Sequence, residues 1–180
     1  MFPQLTTPRL QMRVLQAGDL QVYQQYLLKN REHLRPWEPE RQDSFFSDQE
    51  CLARITLMQQ HAETGIAVPF SIFSGEEMVG VCNFSNIVRG VFQACHLGYA
   101  ISAAHQGKGM MREAVESGIQ YMFEQRGLHR IMANYRPENL RSAALLASLG
   151  FEREGFARRY LKINGAWCDH VLTAKVRDED

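Results

Sequence analysis

The 180-residue sequence has no excess of either charge, because its 20 lysine and arginine residues equal its 20 aspartate and glutamate residues. A chain with a formal net charge of zero has no global field that would draw it to nucleic acid or to an anionic membrane. We therefore expect no specific contact with DNA. Any binding of a polyanion must come from a local group of residues.

Long apolar runs are also absent, and the longest falls far short of the roughly 18 residues of a membrane span. The amino-terminal stretch MFPQLTTPRL has no basic region followed by an apolar one, as a secretion signal would. We expect a soluble cytoplasmic protein that does not contact a membrane. No repeat or linker divides the sequence, so we expect one domain over residues 1–180, either as a monomer or as a homodimer.

Metal-binding and disulfide patterns are missing as well. The four cysteines, Cys51, Cys82, Cys95 and Cys168, include no C-x-x-C pair, and the six histidines include no H-E-x-x-H motif. We therefore expect reduced thiols and no bound metal.

Hydrophobic periodicity gives the order of the first elements. The alternation in RLQMRVL predicts a strand, and Asp19 is placed to cap the helix that follows. Ser47 and Glu50 have the spacing of a capping box, which predicts a second helix that ends near Gly65.

The rest of the chain alternates strands and helices. The stretches VPFSIFS, MVGVCNFSNI and FQACHLGYAI predict a three-stranded antiparallel meander. A helix over about 109–125, the strand HRIMANY, a helix over 139–149 that ends at Gly150, and two strands around the turn Asn164-Gly165 follow. This order predicts an α/β or mixed α+β sandwich.

One loop has the composition of an anion site. In HQGKGMMREA, residues 105–114, Gly107 and Gly109 permit close approach of backbone N–H groups to a ligand, and Lys108 and Arg112 add positive charge. Neither a Walker loop nor a G-x-G-x-x-G motif is present. The residues alone are compatible with a pyrophosphate site or with a plain glycine turn before a helix.

The stretch QGKGMMREA, with NLRSAALLASLGF at residues 139–151, resembles the coenzyme A loop and the following helix of the GNAT superfamily of N-acetyltransferases. The stretches LTTPRLQMR, LRPWEP, NFSNIVRG and EGFARRYLKINGAWCDHVLT resemble its RimJ-type ribosomal-protein alanine acetyltransferases. The resemblance implies the GNAT fold, in which a central, mostly antiparallel sheet is flanked by helices. Two splayed strands of that sheet form the coenzyme A cleft.

The resemblance also implies acetyl-coenzyme A as cosubstrate, without a metal. The pantetheine arm would pair with a strand edge as an added peptide strand does, and the pyrophosphate would lie on the glycine loop. The implied cofactor-binding residues are Tyr99, Ala100, Ile101, Gln106, Gly107, Lys108, Gly109, Met110, Met111, Arg112, Asn139 and Ser142. Met111 departs from the glycine or alanine usual in the family, and Asn139 is equally well explained as a helix N-cap.

The usual catalytic pair of the superfamily is missing. Many of its members have a glutamate base and a tyrosine acid, where this sequence has His96, Asn134 and Leu146. Backbone N–H groups near Leu97 and Gly98 would polarise the thioester carbonyl. We consider His96 a candidate base acting through water, since an ordinary imidazole has a pKa of about 6.5; the alternative is an ordinary strand histidine.

The missing base limits which acceptor amines can react, because only a neutral amine attacks the thioester. An α-amine with a pKa of about 7.7–8.0 is roughly 10% neutral at pH 7, whereas a lysine amine at about 10.4 is less than about 0.1% neutral. The sequence therefore favours an α-amine, which the resemblance implies is the amino-terminal alanine of a small-subunit ribosomal protein. The residues expected to bind this acceptor are Trp37, Glu38, Asn83, Ser85, Asn86, Arg89, Tyr160 and Trp167. For Trp37 the alternative is a core anchor of its loop, and for residues 83–89 it is a solvated hairpin.

Two alternative functions remain open at this point. The first is an acetyltransferase for a small amine or an antibiotic. The second is a non-catalytic module that uses the same fold to dock on ribosomal particles, against which the intact QGKG loop argues.

Overall fold

The computed structural model describes residues 2–178 and contains one eight-stranded sheet flanked by helices. In chain order the elements are β1 (Gln4–Thr6), β2 (Gln11–Arg13), α1 (Leu20–Lys29), α2 (Arg31–Leu34), α3 (Asp48–Thr64), β3 (Val68–Ser74), β4 (Glu77–Val88), β5 (Ala94–Ile101), α4 (Met110–Gln120), β6 (Arg130–Tyr135), α5 (Leu140–Ser148), β7 (Glu152–Ile163) and β8 (Ala166–Val176). The spatial order of the strands is β1-β2-β3-β4-β5-β6-β8-β7. The expected mixed α/β architecture is confirmed.

The divergence of two neighbouring strands opens the sheet. β5 and β6 are the only parallel pair among the described strands, and they pair over three residues alone, from Ala94 with Arg130 to His96 with Met132. Beyond that point, within residues 2–178, residues 97–101 of β5 pair only with β4 and residues 133–135 of β6 pair only with β8. The splayed strands implied by the resemblance are therefore present, and His96 lies where they part.

Each face of the sheet is covered by its own hydrophobic cluster. Phe70, Phe84, Ile131 and Leu146 belong to the cluster on the side of α4 and α5, and the cluster that covers the other face includes Leu15, Tyr23, Tyr26 and Ile55. Helix α4 packs closely on the first face, since a Cβ at Gly118 would lie 2.7 Å from the ring of Phe84. This packing fixes the start of α4 beside the gap in the sheet.

Most helix and turn predictions agree with the structure. The Ser47 side chain accepts a hydrogen bond from the Glu50 backbone N–H at the start of α3, and Gly65 ends that helix with φ 74°. The helix predicted over 109–125 begins at Met110 and continues beyond Gln120 as a π-helical turn over Tyr121–Gln125. None of the helices within residues 2–178 combines the length and the hydropathy needed to cross a membrane.

The prediction that Asp19 caps α1 is wrong. Its carboxylate accepts hydrogen bonds from both terminal nitrogens of Arg13, at 2.6 and 2.8 Å, and from the backbone N–H of Gln16 at 2.7 Å. A bidentate, charge-assisted pair is stronger than a neutral backbone cap. Asp19 therefore fastens the end of β2 to the start of α1.

We expect Asp19→Asn to lower the free energy of unfolding by about 1 kcal/mol at pH 7. The hydrogen bonds from Arg13 hold the pKa of Asp19 below its ordinary value, so this contribution is complete above the unfolded-state pKa of about 3.9. It is lost as the pH falls through the lower folded-state pKa. Urea unfolding at pH 7 and at pH 2–3 measures the effect, and a difference of equal size at both pH values would contradict it.

Candidate active site

A cleft of about 760 Å³ occupies the gap beyond the end of β5. Its walls are the edge of β5, the loop that follows, the first turns of α4 and α5, and the segment after α1. The residues that line it are His33, Trp37, Tyr99, Ala100, Ile101, His105, Gln106, Gly107, Gly109, Met110, Met111, Arg112, Glu138, Asn139, Arg141, Ser142, Ala144 and Leu145. The structure thus brings the predicted cofactor residues into one cleft, except Lys108, which is exposed at its margin.

The glycine loop has the backbone shape of an anion site. Gly107 and Gly109 have φ values of 71° and 74°, in the left-handed region that favours glycine. No side chain of the described part of the chain caps α4, and its first turn leaves N–H groups without intrahelical partners at Met110, Met111 and Arg112. These donors and the positive end of the helix dipole fit a pyrophosphate group.

Met111 does not obstruct this loop. Its side chain is 8% exposed and belongs to the hydrophobic cluster under α4. The bulky residue therefore contributes to the core while its backbone remains in the first helical turn.

A carboxylate anchors the loop from behind. Glu113 accepts hydrogen bonds from the Thr7 hydroxyl at 2.6 Å and from Arg9 Nε at 2.7 Å, and Arg9 also donates to the Lys108 carbonyl at 2.8 Å. Burial acts to raise the pKa of Glu113, but the hydrogen bonds from Thr7 and Arg9 outweigh it and hold the pKa below its ordinary value. The ionised carboxylate keeps Arg9 on the loop.

The opposite wall of the cleft contains a pair of hydroxyl groups. Tyr99 Oη and Ser142 Oγ are 2.5 Å apart, and either can be the donor. Burial raises the pKa of Tyr99 to about 12, so its hydroxyl keeps its proton near neutral pH. Asn139 Oδ1 accepts from the Ser142 N–H at 3.1 Å, which makes Asn139 the N-cap of α5 and leaves its amide nitrogen available to the cleft.

His96 faces the other side of β5. It is three residues from Tyr99, so strand alternation places the two side chains on opposite faces. Ser85 lies directly across from His96 on β4, and Asn83 lies across from Gly98, which gives this face a polar floor. Burial lowers the pKa of His96, which favours the neutral imidazole, and its buried Nδ1 has no hydrogen-bond partner among the described residues.

Trp37 and Glu38 lie in the loop that follows α2. Trp37 lines the cleft, the Arg136 guanidinium lies 5.5 Å from its ring centroid, and Arg136 donates to the Pro36 carbonyl at 2.7 Å. Glu38 instead lines a neighbouring cavity of about 260 Å³, where burial raises its pKa. Its carbonyl accepts from the N–H of Asn164 at 2.8 Å, which joins this loop to the β7–β8 turn.

The other predicted acceptor residues are dispersed. Tyr160 packs against His170, with ring centroids 5.7 Å apart, whereas Trp167 is 61% exposed and lies on the face of β8 opposite to His170. Asn86 is exposed, and Arg89 donates to the Arg126 carbonyl at 2.6 Å beyond the far end of β4. The structure therefore gathers Asn83 and Ser85 beside His96, but not Asn86, Arg89 or Trp167.

Sequence reasoning missed several residues of the cleft. Leu145 follows Ser142 by three positions, so helical spacing could have identified it. His33 belongs to a four-residue helix too short to show a period. Arg141 and Glu138 gave no signal, because only the fold brings them beside the glycine loop. Within residues 2–178 no group of three or more His, Cys, Asp or Glu side chains is arranged to hold a metal ion.

Comparison with known proteins agrees with this geometry. Residues 9–152 match the family described as an acetyltransferase (GNAT) domain. The chain is 48% identical over 172 residues to the ribosomal protein uS5-alanine N-acetyltransferase of Escherichia coli, covering 94% of this chain and 89% of that relative. The chain therefore belongs to the GNAT family of acetyltransferases. Its cleft lies between the two splayed strands β5 and β6.

Two solved structures resemble it along nearly its whole length. The ribosomal-protein-S5-alanine acetyltransferase from Vibrio fischeri superposes with a TM-score of 0.93 at 40% identity, and the match covers 98% of each chain. Mycobacterium smegmatis RimJ in complex with CoA-disulfide superposes with a TM-score of 0.90 at 31% identity, covering 97% of this chain and 86% of that one.

Proposed function

We propose that this protein transfers the acetyl group of acetyl-coenzyme A to the α-amine of the amino-terminal alanine of a small-subunit ribosomal protein. The observation that carries the proposal is the cleft itself, where an uncapped helix start and two left-handed glycines face a strand edge that pairs with no other described strand. The relatives named as ribosomal protein uS5-alanine N-acetyltransferases support the choice of acceptor.

Within this proposal the protein holds the cosubstrate from both ends. Backbone N–H groups of Gly107–Arg112, with the Arg112 and Arg141 side chains, bind the pyrophosphate. The edge of β5 at Tyr99–Ile101 and the Asn139 amide bind the pantetheine arm. Bound acetyl-coenzyme A supplies an activated thioester, which is directed toward the point where β5 and β6 part.

The acceptor approaches over the polar floor formed by Asn83, Ser85 and His96. The backbone N–H of Leu97, which points away from β4, donates to the carbonyl oxygen as it gains charge. The N–H of the next residue, Gly98, is directed to Asn83 on β4 and does not reach the cleft. The amine nitrogen forms a bond to the acetyl carbon, and the carbon–sulfur bond breaks. One amine proton passes through water to His96, whose burial keeps it neutral and able to accept.

The departing thiolate accepts a hydrogen bond from the paired hydroxyl groups of Tyr99 and Ser142. Its proton comes from solvent, because the raised pKa of Tyr99 keeps the proton on that hydroxyl. We expect Ser142→Ala to lower kcat by about 100-fold, because a positioned hydrogen-bond donor to developing negative charge contributes roughly that factor or more. The dissociation constant for coenzyme A should change by less than about threefold. Steady-state kinetics and calorimetry separate the two effects, and an unchanged kcat would remove Ser142 from the mechanism.

We further propose that residues 1–180 form one domain that acts in the cytoplasm as a monomer or a homodimer, without a metal, on free ribosomal protein or on ribosomal particles. A panel of acceptors tests the function against its alternatives. An alanine-initiated ribosomal peptide should be acetylated, and polyamines or aminoglycosides should not be. Rapid acetylation of a small amine with no activity on the peptide would favour the first alternative, and no activity on any acceptor would favour the docking module.

A further inference from the structure

A histidine at the margin of the cleft faces two groups that it cannot satisfy together. His33 Nε2 in α2 lies 3.2 Å from the carbonyl oxygen of Ile101 at the end of β5. The same nitrogen lies 3.1 Å from the side-chain amide nitrogen of Gln106 at the start of the glycine loop. Both partners belong to elements to which the proposed function assigns the cosubstrate.

The two contacts require different states of one ring nitrogen. A carbonyl only accepts, so Nε2 must carry a hydrogen to bond Ile101. The other end of the Gln106 side chain accepts a hydrogen bond from the Arg141 guanidinium, which only donates, so the amide must present its NH₂ group to His33. To accept from that group, Nε2 must be bare.

The surroundings of His33 hold this arrangement in place. Asn30, which is 3% exposed, accepts from the backbone N–H of Ala103 at 3.2 Å and donates to the Tyr26 carbonyl at 2.9 Å. The α1–α2 corner is therefore fixed to the loop between Ile101 and Gln106. Because the backbone around it is fixed, His33 can pass from one partner to the other through a change of tautomer and a small rotation of its side chain.

We propose that His33 is a positioning residue for coenzyme A, which acts through Gln106. Without the cosubstrate its Nε2 donates to the Ile101 carbonyl. A pantetheine arm paired along β5 brings its own amide N–H groups to that strand edge, which releases His33. His33 then accepts from Gln106 and, together with Arg141, fixes the Gln106 side chain at the entrance of the pyrophosphate loop. The inference rests on the proposed function for the identity of the ligand.

Two substitutions of His33 distinguish the contribution of its ring nitrogen from that of the flat ring. His33→Phe keeps a flat ring and removes both nitrogens, so the dissociation constant for coenzyme A should rise about three- to tenfold, the effect of one hydrogen bond. His33→Gln places an amide at the reach of Nε2 and should restore binding to within about twofold of the unaltered protein. The KM for acetyl-coenzyme A should follow the dissociation constants while kcat changes less than about twofold.

A double-mutant cycle with Gln106→Leu tests whether His33 acts through Gln106. If it does, adding His33→Phe to Gln106→Leu should weaken binding no further than Gln106→Leu alone. Additive losses would contradict the proposal, as would equal binding by His33→Phe and the unaltered protein. Calorimetry with coenzyme A alone, on variants whose melting temperatures show that they are folded, gives each value.

The tautomer of His33 supplies a readout that needs no altered protein in the binding step. The ¹⁵N shift of Nε2, assigned by its loss in His33→Gln, distinguishes a protonated nitrogen from a bare one. We expect a protonated Nε2 before coenzyme A is added and a bare one after saturation, and no change in its state would overturn the switch. Failure of the unaltered protein to bind coenzyme A would overturn both the proposed function and this inference, whereas normal binding with normal His33→Phe affinity would overturn only the latter.

Discussion

Replacement of Gly109 by valine should weaken the binding of acetyl-coenzyme A at least tenfold. Gly109 is the N-cap of α4 and has φ 74°, a conformation that costs a residue with a Cβ about 1–2 kcal/mol. Valine is β-branched, so it would shift the backbone away from this conformation and turn the first N–H groups of α4 from the cleft. A Cβ here would lie 3.6 Å from the Arg9 guanidinium, an ordinary van der Waals contact, so the expected loss comes from the backbone conformation.

A matched glycine separates loss of binding from loss of stability. Gly127 has φ 64°, and a Cβ built there meets no other described atom within 4 Å, yet Gly127 does not line the cleft. Gly127→Val should therefore cost similar stability and leave the dissociation constant unchanged. Calorimetry on both folded variants provides the comparison, and unchanged affinity in Gly109→Val would mean that the loop is only a turn.

The elements that the sequence predicted well are those set by local chemistry. The turn Asn164-Gly165 has φ values of 44° and 81°, which asparagine and glycine adopt readily, so the last hairpin was visible in two residues. The end of α3 at Gly65 and the cap by Ser47 have the same local origin. A turn or cap that depends on four or five consecutive residues can be predicted from the sequence, because distant contacts do not change it.

The elements that escaped prediction are short or depend on distant partners. β1 and α2 contain three and four residues, too few to show a hydrophobic period. Asp19 had the position of a cap, but the fold supplied Arg13 as a stronger partner. The π-helical turn that begins at Tyr121 also escaped prediction, because the helical pattern of the sequence continues through it without a break.

The same distinction applies to the site. The glycine loop lies within residues 105–114, so sequence reasoning could propose it as a unit. His33 and Gln106 are 73 positions apart, and Arg9 and Glu113 are 104 apart. No period or motif connects such pairs, because only the packing of α2 and the amino-terminal strands against the loop brings them into contact.

The acceptor should be an α-amine, and the expected discrimination is large. At pH 7 the neutral fraction of an α-amine is at least roughly 100-fold larger than that of a lysine amine. His96, whose pKa burial lowers, is a weak base that cannot deprotonate a lysine ammonium efficiently. We therefore expect a peptide that begins with alanine to react at least 100-fold faster through its terminus than through any lysine.

The preference for an α-amine should make the acetylation rate depend on pH. The rate with an alanine-initiated peptide should rise between pH 6 and pH 8.5, as the α-amine itself loses its proton. His96 adds less to the slope in this range than an ordinary imidazole would, because burial lowers its pKa and favours the neutral ring. A profile that is flat above pH 6 would indicate a stronger base than the described residues provide.

The most direct measurement compares two peptides that differ at one group. One is an alanine-initiated ribosomal peptide with internal lysines, and the other is the same peptide with its α-amine blocked. After incubation with the protein and acetyl-coenzyme A, mass spectrometry should find a single acetyl group on the terminal alanine of the first peptide and none on the second. Comparable acetylation of lysine in the blocked peptide, or no acetylation of either, would contradict the proposed function.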